Sequence, residues 1–340
     1  MIQFPVSYSS ATELVPMFKR MLELCNVKPE ETILLYTDTR TVPHYPAAFM
    51  GAAIELGAEA YQITVPTVVP ERDTGPIANA WREADLVIDL VSTLAHAYSL
   101  LNEAAFEAGT RVLRVGQPLD VLTRMFPHPE VRRRVEAGAK LLDAAEEVRV
   151  TSEAGTDLVA KKKGRVTLDL YSVADKPGRW DHWPTGMVTC GPHEDGADGT
   201  LVLDINDVIL SLARYVTSPV TLTLRDGRIV KIEGGAEARL LEDWFASFGE
   251  DDAYRIAHIG WGCEHRAKWN RLSALGAEPA TQDVESFYGN MQIAFGANAG
   301  IFLGKNRTRA HMDFPCRNNT IYLDGRKIME RGVFVLDELR

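Results

Sequence analysis

The strongest constraint on the fold is an alternation of helix-patterned stretches and short apolar runs up to Val115. Between residues 11 and 25, Leu14, Met17, Phe18, Met21, Leu22 and Cys25 share one helical face. Thr32 to Tyr36 (TILLY) then reads as a buried strand, and Pro46 to Leu56 as a small-residue helix closed by Gly57. The pattern repeats with a strand at Glu59 to Val65, a short helix at Ile77 to Arg82 and a strand at Leu86 to Val91. A helix ending at Glu103 to Ala108 leads through Gly109 into the strand Arg111 to Val115. Short apolar strands separated by helices imply a parallel sheet covered on both faces, a Rossmann-like α/β arrangement. Such sheets bind ligands at the carboxyl ends of their strands. No G-x-G-x-x-G follows the first strand and no G-x-x-x-x-G-K-[ST] occurs, so no motif supports a dinucleotide or P-loop function.

The texture changes after a long helix predicted from about Pro129 to Glu146, whose Arg132-Arg133-Arg134 run reads as a solvated face. Short strands at Arg149 to Ser152, Val166 to Tyr171, Thr200 to Asp204 and Val220 to Leu224 alternate with Gly, Asp and Asn turns. Asp226-Gly227 between TLTLR and RIVKI is a hairpin signal. For 340 residues, about two domains are expected at ~150 residues each. We place them at 1–150 (α/β) and 151–340 (a β-rich α+β domain). The 37 basic and 47 acidic residues leave a net charge of −10. That balance argues against a nucleic-acid partner and against an anionic membrane surface. Cys25, Cys190, Cys263 and Cys316 are too scattered for a disulfide framework or a Cys-rich zinc module. With no signal segment and no bilayer-length apolar run, a cytoplasmic protein is expected.

The chemistry gathers in the second half. Seven of the eight histidines lie after residue 95. In Arg309-Ala310-His311-Met312-Asp313-Phe314-Pro315, an extended backbone places His311 and Asp313 on one side. An imidazole and a carboxylate so spaced can share a metal ion, and a third ligand would complete a 2-His-1-carboxylate face with open positions for substrate and O₂ on Fe(II). Alone, H-x-D is also what a surface strand shows by chance. His258, in AHIGWG, sits among glycines that permit close backbone approach, although a hydrogen-bonded core histidine fits as well. The segment WDHWPTG sets Trp180 and Trp183 about His182 in a turn-rich stretch that suits either an aromatic pocket or a packed corner. His96 follows the third strand, near the end where α/β sheets bind ligands.

GRWDHWPTG, EDGADGTLVLD, AHIGWG, ESFYGN and AHMDFPCRNNTIYLDG resemble the 2,5-dihydroxypyridine 5,6-dioxygenases, most strongly from residue 178 to 325. The resemblance implies the aminopeptidase T-like fold of the thermophilic leucyl aminopeptidases, which makes a dinuclear metal aminopeptidase the main competitor. Against that reading, Pro184-Thr185-Gly186 is followed by Met187 where the peptidases carry a glutamate. His258 stands where they carry a second glutamate, and Gln292 where they carry a histidine. A two-metal site needs bridging carboxylates, whereas the remaining donors match the iron triad of the dioxygenases: His258, His311 and Asp313.

The resemblance further implies Fe(II) as cofactor and a small N-heterocyclic aromatic ring plus O₂ as reactants. The ring opens between C5 and C6 to N-formylmaleamate, within nicotinate or N-heterocycle catabolism. An iron dioxygenase for another hydroxylated N-heterocycle or an aminophenol remains an alternative. A base must remove a phenolic proton, and histidine has a suitable intrinsic pKa; His96 is the first choice and His182 the second, as base or hydrogen-bond donor. Trp180, Trp183, Thr185 and Phe314 are candidate pocket residues, while His193 and His265 receive no role. By resemblance, the chain is expected to form a homo-oligomer, a dimer or a hexamer.

Overall fold

The computed structural model describes residue 7 and residues 10–67, 75–93, 95–272 and 281–340, except for the side chains of 95 and 96. The described residues pack as two compact units, one within Met1–Pro127 plus Tyr171–Thr185, the other within His128–Leu170, Gly186–Ser273 and Thr281–Arg340. The boundary expected near residue 150 therefore falls inside the second unit, which already contains the helix Pro129–Ala144 and the strand Glu147–Thr151.

In the first unit the apolar runs form a five-stranded sheet in the order Glu59–Val65, Thr32–Asp38, Leu86–Asp89, Arg111–Val115, Trp180–Trp183. Every neighbouring pair is parallel. Its interior strands are buried along their lengths, as strands covered on both faces must be. The helical face read from 11–25 is buried, with Met17, Phe18, Met21 and Leu22 inside the helix Val15–Leu24. The fifth strand corrects the sequence reading, because WDHW is no turn-rich stretch but a fully buried strand paired with Val112 to Val115.

The second unit is mainly antiparallel. An eight-stranded sheet carries the Asp226-Gly227 hairpin, whose two turn residues have positive φ (47° and 71°) as a type I′ turn requires. A five-stranded sheet runs His311–Cys316, Met291–Gly296, Ile256–Gly262, Met187–Cys190, Thr167–Leu170. The helix Pro129–Ala144 lies close against it at Gly138, where an added Cβ would stand 3.1 Å from Val188 and 3.2 Å from Trp261. The last carbonyls of this helix are met by a buried cation. Lys162 Nζ donates to Leu142 O at 2.7 Å and to Asp143 O at 3.4 Å, satisfying acceptors that a helix C-terminus otherwise leaves open, and also to the Thr167 hydroxyl at 3.2 Å. The arginine run is less solvated than its pattern suggests. Arg132 pairs with Glu136, whereas Arg134 is half-buried over the Tyr288 ring and bonded to His265.

All four cysteines are buried and unpaired. Among the described residues, no helix is long and apolar enough to cross a membrane.

Candidate metal centre

The second antiparallel sheet brings three of the predicted residues together. On the strand His311–Cys316, His311 and Asp313 share a face by the period-2 rule. Register places Asp313 opposite Ala294, and Ala294 opposite His258. A β-bulge between Ile256 and His258 makes this possible. Without it, Ile256 and His258 would share a face; with it, Ile256 pairs with Phe295 and His258 is re-aimed towards Asp313. Gly296, opposite His311, has φ +111°, and an added Cβ would stand 2.2 Å from Ala310 O, so only glycine holds that pairing.

His258 Nε2 lies 3.0 Å from Asp313 Oδ1, and His311 Nε2 lies 3.3 Å from Asp313 Oδ2. The two rings are 5.4 Å apart, and Phe302 stacks on His258 at 4.9 Å. His258 and Asp313 are buried, while His311 keeps partial exposure and forms the open side.

The far nitrogens fix the tautomers. His311 Nδ1 is 3.0 Å from the carbonyl of Ala297, which only accepts, so Nδ1 carries the proton in that bond. Thr189 Oγ1 donates to Ile259 O at 3.1 Å, so its lone pair accepts from His258 Nδ1–H at 3.2 Å. Both imidazoles therefore carry an Nδ1 proton outwards and present Nε2 to the two carboxylate oxygens. Such an arrangement suits a cation between them, and the outer bonds are those by which proteins orient metal-ligating histidines. The spacing agrees, since donors ~2.1 Å from one ion lie ~3.0 Å apart when cis. Burial raises the Asp313 carboxyl, but the adjacent His311 charge and the His258 contact outweigh it and hold the group well below the usual carboxylate range. Burial lowers the His258 pKa, with partial compensation from Asp313, keeping the ring neutral and able to ligate.

A second group, His128, Glu130 and His265, also has donor atoms within 4.8 Å of one another. Its chemistry is the reverse. His128 Nδ1 accepts from the Glu130 N–H as a helix cap, and His265 Nδ1 accepts from Arg134. Those bonds put the ring protons on Nε2, and Arg134 brings a competing positive charge within 3.7 Å of Glu130. This cluster does not suit a cation.

The other predicted residues fall elsewhere. His182 is on the parallel sheet opposite Arg114 and is buried, with no partner for Nε2 among the described residues. Burial, then the Arg114 charge, pushes its pKa down to about 3, which favours a hydrogen-bonding role over that of a base. Trp180 shares its face, with ring centroids 6.1 Å apart, and Trp180 Nε1 also lacks a partner among the described residues. Trp183 is core, edge-on to Phe18 and Phe126 at 5.6 Å each. Phe314 is core too, packed on Phe295 and pointing to the opposite face of its strand from Asp313, so it cannot wall a ring held at that carboxylate. Thr185 is buried, exchanging two backbone bonds with the Ser172 hydroxyl. His193 bonds the Lys163 carbonyl at the surface. The side chain of His96 lies outside the described residues.

Three residues around the triad escaped sequence reasoning as functional. Thr189 and Phe302 are isolated, ordinary residues in the chain, and Gln292 shows only as a departure from the peptidase pattern. Gln292 Nε2 donates to Asp313 Oδ1 at 2.9 Å.

Comparison with known proteins places the chain in a family. The family model NicX, described as 2,5-dihydroxypyridine 5,6-dioxygenase, matches residues 13–336. A curated 2,5-dihydroxypyridine 5,6-dioxygenase of Pseudomonas putida is 36% identical over 350 residues, covering 97% of this chain and 98% of that protein. The solved structure of 2,5-dihydroxypyridine dioxygenase from Pseudomonas putida KT2440 superposes with a TM-score of 0.90 at 34% identity, covering 98% of this chain and all (100%) of that one. Wild-type AmpT from Thermus thermophilus superposes at 0.62 with 14% identity over 95% of this chain and 100% of its own, a likeness of fold alone.

Proposed function

Because the chain belongs to the 2,5-dihydroxypyridine 5,6-dioxygenase family, and is thus a ring-cleaving enzyme of the dioxygenase type, we propose that it opens 2,5-dihydroxypyridine between C5 and C6 with one Fe(II) held by His258, His311 and Asp313. The observation that carries the metal assignment is the pair of imidazole Nε2 atoms at 3.0 and 3.3 Å from the two oxygens of one buried carboxylate. Two histidines and one carboxylate are the donor set of non-haem Fe(II) oxygenases. When bound, Fe(II) supplies the redox chemistry that lets O₂ react with the ring.

The chain's own groups prepare that chemistry. Thr189 and the Ala297 carbonyl hold the protons of His258 and His311 on Nδ1. Phe302 covers one face of His258 and limits access of water. His96 takes the phenolic proton of the substrate, a role assigned from the family resemblance. His182, neutral across the physiological range, offers a hydrogen bond to a ring substituent. The same reading carries a cytoplasmic enzyme acting as a homo-oligomer, for which sedimentation of the purified protein distinguishes dimer from hexamer.

The test is a turnover of the Fe(II)-loaded protein with 2,5-dihydroxypyridine under ¹⁸O₂. Incorporation of both atoms of one O₂ into the ring-opened product, at rates reduced at least about 10²-fold in His96→Ala if His96 is the base, is expected. Label arriving from H₂¹⁸O alone would overturn ring cleavage by dioxygenation.

A further inference from the structure

We infer that Gln292 is a positioning residue for the metal site: its amide fixes the Asp313 carboxylate so that each oxygen faces one histidine. This rests on the triad reading above. Gln292 is completely buried on the strand Met291–Gly296, directly opposite Pro315 on one side and Gly260 on the other. It is the diagonal neighbour of Asp313, whose direct partner is the small Ala294. Neither Ala294 nor Gly260 fills the space above the sheet, so the long amide lies along it and Nε2 reaches Asp313 Oδ1 at 2.9 Å.

Among the described residues, the side chains contacting the Asp313 carboxylate are His258, His311 and Gln292. When both histidines ligate through Nε2, the Gln292 amide is the donor left to hold the carboxylate's rotation. It does so without charge, and an amide nitrogen does not compete for the cation.

A stability role fits poorly. Among the described residues, Gln292 Oε1 has no hydrogen-bond partner although the side chain is buried. An orphaned buried acceptor of this kind destabilises a fold, and an apolar side chain of the same length would avoid it. The residue is better suited to the site than to the core, as outer groups that orient metal ligands are.

The experiment compares wild type with Gln292→Met, close in shape but without a donor, using Co(II) as the probe in the full-length protein. Co(II) dissociation constants and d–d absorption spectra are measured, together with urea unfolding of the metal-free proteins. We expect Co(II) affinity to fall about 10- to 100-fold and the d–d spectrum to change, with metal-free stability equal to wild type or higher. If Gln292→Met does not fold, Gln292→Asn, one methylene too short to reach, is expected to show the same losses. Wild-type affinity and spectrum in the variant would overturn the inference, as would an affinity loss matched by an equal loss of metal-free stability. Failure of the wild type itself to bind Co(II) would remove the triad reading and this inference with it.

Discussion

Thr189→Val tests whether the tautomer of His258 is built into the fold. Threonine and valine have nearly the same shape, and Thr189 is fully buried, so packing is conserved while the hydroxyl is lost. Two bonds go with it: acceptance from His258 Nδ1–H at 3.2 Å and donation to Ile259 O at 3.1 Å. At about 1 kcal/mol each, the metal-free protein should lose about 2 kcal/mol. The effect on the metal is separate. With no acceptor at Nδ1, the His258 proton is free to sit on Nε2, where it blocks ligation. Loss of such an outer partner lowers metal affinity about 10- to 100-fold, equivalent to about 1.4–2.7 kcal/mol. Fe(II) affinity measured anaerobically against a competing chelator, beside urea unfolding of the metal-free form, separates the two quantities. Fe(II) binding within twofold of wild type would refute the tautomer argument, whatever the change in stability.

Other outcomes follow from single contacts. Gly260→Ala should cost about 3 kcal/mol or more and yield little folded protein, because its Cβ would stand 2.0 Å from Val188 O and 2.6 Å from Thr189 Cα, both backbone atoms; soluble expression and urea midpoints report it. Lys162→Ala should lower stability by about 3 kcal/mol by uncovering the carbonyls at the end of the helix Pro129–Ala144, read as an earlier urea midpoint. The buried neutral His182 makes the fold acid-sensitive. Between the unfolded-state value of about 6.5 and the folded value of about 3, the unfolded chain binds one more proton. Stability therefore falls with falling pH by up to about 1.4 kcal/mol per unit from this group, and His182→Gln should flatten that part of the pH–stability curve.

The parallel sheet was legible because three of its first four strands are short apolar runs and the fourth, the edge strand Glu59–Val65, is bounded by a helix and turn signals. The fifth was not. Trp180 to Trp183 mixes charge and aromatics because Asp181 on one face accepts the Tyr171 and Ser172 N–H groups and pairs with Arg179, while His182 and Trp180 occupy the other. Strand polarity of that kind answers to tertiary partners that sequence spacing does not show. The same division applies at the metal site. His311 and Asp313 follow from a period of two, whereas His258 joins them through a one-residue bulge that no periodicity predicts; the family resemblance supplied it. Thr189, Gln292 and Phe302 come from neighbouring strands and a short turn, and only sheet register reveals what they touch. Trp183 and Phe314, both packed in the core, show the converse: nearness in sequence to a ligand says nothing about which face a strand residue occupies.

The most direct test of the account is a titration of Fe(II) into the metal-free protein under anaerobic conditions, each point then assayed for O₂ consumption with 2,5-dihydroxypyridine. Activity should rise linearly and saturate at one iron per chain, and His311→Ala should show neither tight iron binding nor O₂ consumption. Saturation at two metals per chain, or O₂ consumption in His311→Ala equal to wild type, would contradict a single iron held by His258, His311 and Asp313.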